Sequence, residues 1–212
     1  MGGAASDAAQ RPLDQCDCFD RLRPPGLRYT STGSATTLLA SALAVDLAKA
    51  DQVDDARAAL DRARTAAEIG DQAGDELTGP FTCSVGRASG FWSNVHLALG
   101  QPADALTEAD CAVAASERAP IDRRNHGSER MVRLQQVQAH LALGQYDGAA
   151  EALTPVLRDT PPEHRVRPLL QRLDEVHTQS LTCEQPREPI LCTMREAITD
   201  FRRQAVVAEL IT

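Results

Sequence analysis

Aromatic side chains are scarce in this chain, at 3% of 212 residues with a single tryptophan. Its core must therefore be built from Ala, Leu and Val, which lets helices approach closely and leaves little for a broad aromatic pocket. Basic residues are also outnumbered, 22 against 30 acidic, for a formal net charge of −8. That balance opposes a polyanionic partner, because non-specific nucleic-acid affinity comes from neutralised phosphates, and no direct nucleic-acid contact is expected. No apolar run approaches the roughly 20 residues of a membrane span, and the start lacks the charged-then-apolar order of a secretory signal. The expectation is a cytoplasmic protein with no membrane span. Met1 to Ser6 formally matches an N-myristoylation pattern, but Gly and Ala are ordinary at a disordered start, and the alanine-rich composition looks bacterial.

Catalytic motifs are missing too. There is no Gly-rich phosphate loop after a strand, no G-x-S-x-G and no H-E-x-x-H. His126-Gly-Ser-Glu129 and Glu163-His164 can be drawn as acid–base pairs, yet both stand at expected helix starts, where capping and the dipole favour a carboxylate. Nothing here requires an enzyme, and no catalytic residue or cofactor is expected. The six cysteines do not form a disulfide framework either. Cys83 and Cys111 fall in expected helices, where a thiol behaves as a small apolar group. Cys16 and Cys18 are too close for an easy mutual bridge, and Cys183 and Cys192 flank a loop, so all six read as thiols. Asp14 and Asp20 stand beside Cys16 and Cys18, but no second Cys pair or His completes a tetrahedral metal set.

What the chain does contain is repetition. LALGQPADAL (Leu97 to Leu106) returns 44 residues later as LALGQYDGAA (Leu141 to Ala150), and a looser copy, LAKADQVDDA, begins at Leu47. Self-similarity at this period signals stacked helical hairpins. Residues 1–33 carry Pro24-Pro25, Gly and scattered charge without periodicity, which predicts an extended or disordered arm. From Ser34 the apolar residues fall at helical spacings, opening a helical-repeat domain over 34–212. Its first hairpin continues with a helix from Asp54 to Ile69, with Gly70 as the stop.

The second hairpin begins near Thr82, with Gly100 ending one helix and Pro102 opening the next, which reaches Arg118. The run Asp122-Arg-Arg-Asn-His126 reads as a solvated connection. The third hairpin comprises helices over Ser128 to Leu143 and Tyr146 to Arg158. Thr160-Pro-Pro-Glu163 has capping-box spacing and is expected to start a helix running to Thr178. A last helix opens at Pro189, whose Ile190, Met194, Ile198, Phe201 and Val206 can close the end of the stack.

The phrase LALGQ, followed by Ala105 or Ala149 five residues after its glycine, resembles the tetratricopeptide repeat. Gly144, Ala149 and Pro161 fit that pattern. The second copy keeps Gly100 and Ala105 but has Glu117 in place of the Pro, and the first keeps Ala56 but has Asp51 for the Gly. The period exceeds that family's, so helices or connections must be longer. Over about residues 35–205, the succession GPFTC, WSNVHLALGQPADAL, HGSERMVRLQQVQAHLALGQYDGAAEALTPVL and PPEHRVRPLLQRLDEVH is similar to the C-terminal repeat region of actinobacterial Xre-type helix-turn-helix regulators. The resemblance implies an all-α, right-handed superhelix of about three hairpins plus C-terminal capping helices. It further implies a sensor and dimerisation module, here without the DNA-reading head, since too few residues precede the first repeat to build one.

In such repeats the first helix of each hairpin lines a concave groove. Counting back from the small turn residue gives Arg87, Gly90 and Asn94 in the second copy, and Met131, Leu134 and Gln138 in the third. The first copy contributes Leu38, Ser41 and Val45. Two amides and a cation beside Leu and Met suit a peptide or protein partner, because amides clamp a backbone and Arg holds a carboxylate. His96 and His140 occupy equivalent places four residues before Gly100 and Gly144. Without a clear third ligand they make a weak metal pair. Two further readings stand beside the binding module. One is an accessory protein or enzyme of a biosynthetic pathway, with a metal or small molecule among His96, His140 and nearby cysteines. The other is an architectural homodimer formed through exposed Ala-rich helices and the C-terminal helix.

Overall fold

The structure, a computed structural model, describes residues 33–73 and 82–211, with side chains for 33–69 and 82–204. Among these the chain is all-α, with no strand. The helices are α1 (Gly33–Lys49), α2 (Val53–Ala73), α3 (Val85–Ala98), α4 (Pro102–Arg118), α5 (His126–Ala142), α6 (Tyr146–Arg158), α7 (Arg167–Leu181) and α8 (Pro189–Ile211). Single 3-10 turns at Ile121–Arg123 and Pro162–His164 precede α5 and α7. The arm with Cys16 and Cys18, most of the turn after Asp71 and the Val206 side chain lie outside the described residues.

The repeated phrase becomes one turn built three times. Asp51, Gly100 and Gly144 take φ of 59°, 68° and 69°, the left-handed conformation that ends a helix by reversing its path. The amide of the following glutamine then donates back to a helical carbonyl: Gln52 to Leu47 at 2.9 Å, Gln101 to His96 at 2.8 Å and Gln145 to His140 at 2.9 Å. A second bond runs from each left-handed residue to the carbonyl three back, completing the Schellman arrangement. Each glutamine carbonyl immediately serves the next helix, accepting from the amides of Ala56, Ala105 and Ala149. Those three alanines are fully buried, because the sharp reversal brings the paired helices too close for a larger side chain.

Three hairpins result, α1 with α2, α3 with α4 and α5 with α6, and their first helices pack in series. The two C-terminal helices do more than cap the stack. Helix α7 lies on α5 and α8 on α6 while touching each other, so they extend both layers as a fourth pair. Glycines set the closest approaches: a Cβ on Gly86 would stand 2.3 Å from the Ala115 Cβ, and one on Gly90 would stand 2.9 Å from Val132 Cγ2. Two cores form along the array. The first packs α1, α2 and α3 through Ala40, Ala44, Ala59, Ala63, Val95 and Trp92; the second packs α5 to α8 through Leu134, Leu153, Leu173, Leu191, Ile198 and Phe201.

Three local expectations are corrected. Helix α2 runs through Gly70 to Ala73; a glycine inside a helix weakens it by about 1 kcal/mol without ending it. Thr160 does not start a helix, since its hydroxyl donates back to the Val156 carbonyl at 2.5 Å, and α7 opens only at Arg167, with a proline in its first turn. Cys111 is exposed on the outer face of α4, whereas Cys83 is buried just before α3 and donates its amide to Ser34 Oγ at 2.7 Å.

Candidate functional site

The two amides picked out by repeat counting do converge, on a residue the counting missed. Arg172 of α7 donates from Nη2 to Asn94 Oδ1 at 3.1 Å and from Nη1 to Gln138 Oε1 at 3.4 Å, with Glu175 Oε2 at 2.7 Å from Nη1. Gln179 adds a bond from Nε2 to the Gln138 carbonyl at 2.8 Å. Side chains from three successive hairpins thus form one polar row along the first-helix layer. A guanidinium only donates, so both amides must turn their oxygens towards it. Each NH2 end is left without a partner among the described residues. Arg172 is 16% exposed and Glu175 52%, so the row is held from below and open above.

The remaining groove residues are placed differently. Ser41 is fully buried and accepts from Trp92 Nε1 at 3.0 Å, and Leu134 is fully buried in the second core. Both are removed from an accessible groove, Ser41 beneath Trp92 of the next hairpin and Leu134 within the core that α5 shares with α6 to α8. Met131 is partly buried against the same core. Arg87 is exposed at the start of α3, donating to the Thr82 carbonyl at 2.9 Å. It lines a separate cleft of about 860 Å3 where α3 begins, α4 ends and α5 begins, and neither Asn94 nor Gln138 reaches that cleft.

His96 and His140 are turn elements. Their Nδ1 atoms lie 2.7 Å from Gln101 Oε1 and 2.8 Å from Gln145 Oε1. Since a carbonyl oxygen only accepts, the proton sits on Nδ1 and leaves Nε2 as an acceptor in the neutral ring. Arg64 Nη2 fills that role for His96 at 3.3 Å, while also pairing with Glu108 at 2.7 Å and lying 5.4 Å from the centre of the Trp92 ring. Among the described residues no group of three or more His, Cys, Asp or Glu is placed to hold a metal. His126 lies 3.7 Å from Glu129, but that carboxylate is tied to Arg133 at 3.0 Å. Burial pushes the Cys183 thiol above its usual range, with Arg195 acting weakly against it, so it is a poor nucleophile near neutral pH.

Sequence reasoning missed Arg172 and Arg64 for two reasons. The fourth pair has no left-handed glycine from which to count, and Arg64 sits on a second helix, outside the positions considered. No helix among the described residues is long and apolar enough to cross a membrane. No protein-family model matches the chain, and neither a curated protein nor a solved structure gives a match.

Proposed function

We propose that the chain is a non-enzymatic, tetratricopeptide-like binding module that takes an extended peptide segment along its first-helix layer. The observation behind this reading is the state of Asn94 and Gln138: Arg172 holds both amides by their oxygens and leaves two NH2 groups, on half-buried side chains of successive hairpins, without a partner among the described residues. Such donors suit the carbonyls of a peptide backbone, each bond contributing about 1 kcal/mol. The resemblance of the repeat phrases to the repeat regions of helix-turn-helix regulators is the ground for reading the module as a cytoplasmic sensor.

The test is selection of binding peptides from a random library, followed by affinity measurement with Asn94→Asp and Gln138→Glu. These substitutions keep the oxygens that Arg172 needs and remove the NH2 donors, at the cost of two added negative charges. Loss of two bonds should weaken binding by about 30-fold, with thermal stability unchanged, in about 0.3 M salt to mute the added charge. Peptides that bind the double variant as well as the parent would remove the row from consideration.

A further inference from the structure

The cleft at the start of α3 differs in character from the polar row and lies at the seam between the two cores. We propose that it binds a small aliphatic monocarboxylate of medium chain length. Its floor is made of Gly86, Ala112, Ala115 and Val132, and among the described residues no aromatic ring lines it, so the matching surface is a saturated chain. At about 860 Å3 it falls in the range of small-ligand sites, roughly 300–1,000 Å3.

The rim selects charge. Among the described residues Arg123 and Arg124 line it against one carboxylate, Glu129, and Glu129 is already bound by Arg133 at 3.0 Å and by the Ser116 hydroxyl at 3.3 Å. In a chain of net charge −8 this is a local reversal of sign, which draws a small anion inwards. Arg124 is held rigid by the carbonyls of Ala119 (from Nε, 2.9 Å) and Glu117 (from Nη2), so its guanidinium is fixed before a ligand arrives. Ser84 and Asn125 already cap α3 and α5, accepting from the amides of Arg87 and Ser128, so an incoming anion must be met by guanidinium groups. A planar fork facing a planar carboxylate is the natural pairing, and so few cations suit one negative charge. This proposal does not depend on the peptide reading.

The experiment is calorimetric titration of the full chain with octanoate, compared with octanol, acetate and inorganic phosphate. Octanoate should bind at one site, at least 10-fold more tightly than acetate or octanol, and phosphate should not displace it. Arg123→Glu, at an exposed position whose side chain makes no hydrogen bond or ion pair among the described residues, should weaken octanoate binding at least 10-fold, and Ala119→Trp should block the cleft. Arg124→Gln, checked for folding by circular dichroism, provides a second loss of charge. Octanol binding as tightly as octanoate, displacement by phosphate, absence of octanoate binding, or unchanged affinity in both Arg123→Glu and Ala119→Trp would each overturn the assignment.

Discussion

The second and third hairpins turn on almost the same residues, yet the turns serve different ends. In both, a histidine closes on the glutamine that follows the glycine, with matching distances of 2.7 and 2.8 Å. The His96 ring is buried, and its Nε2 meets Arg64 of the preceding hairpin. The His140 ring rests instead on Gly148 of its own hairpin, where an added Cβ would lie 2.8 Å from ring atoms. The difference comes from what the previous pair supplies. Counted from the turn, the place of Arg64 is taken one repeat later by Val113, which is buried and has no donor to offer. Local sequence therefore sets the turn, and the neighbouring hairpin decides whether that turn also joins two units.

This contrast can be broken most severely at Trp92, which carries Arg64 on its face and is 5% exposed. Trp92→Ala should cost about 3–5 kcal/mol in urea unfolding, whereas Gln136→Ala, at the matching place in the third hairpin, should change stability by under about 0.5 kcal/mol. Arg64→Ala comes next. It strands Glu108, 16% exposed, and removes the donor to His96, for a loss of about 2 kcal/mol once solvent screening of the 39% exposed guanidinium is allowed for. A cycle with His96→Ala should show coupling, and no such coupling should link Val113 to His140.

Gly148→Ala should destabilise the third hairpin by about 1–2 kcal/mol through overpacking, and His140→Ala should relieve most of that loss. Equal costs in both backgrounds would mean that the ring does not depend on the missing Cβ. The smallest effect is expected at the first turn: Asp51→Gly should raise stability by about 1 kcal/mol, because φ of 59° suits glycine. Gly144→Ala should shift the melting temperature in the opposite direction.

The all-α fold was legible because its punctuation is local. Gly100, Gly144 and Pro102 act within a turn or two, and the alanines after each turn mark where helices cross. Beyond that reach the reading weakened. Ser41 and Leu134 matched groove positions by count, but burial depends on how far each hairpin leans on the next, which spacing alone does not encode. Arg123 and Arg124 read as a solvated charge run because nothing nearby in sequence shows that α3 begins beside them. Asn94 and Gln138 were found by register, and their partner Arg172 was not, since it comes from a pair that lacks the landmark phrase.

Arg172 has one more consequence. Asn94 and Arg172 stand 78 positions apart, on the second and fourth pairs, with a whole hairpin between them. In an idealised solenoid each unit touches only its immediate neighbours and unravels link by link. A side chain that reaches over one unit to the next acts as a clasp on an open bracelet. Under tension from its ends, this array should resist stretching until the clasp parts and then yield as a block.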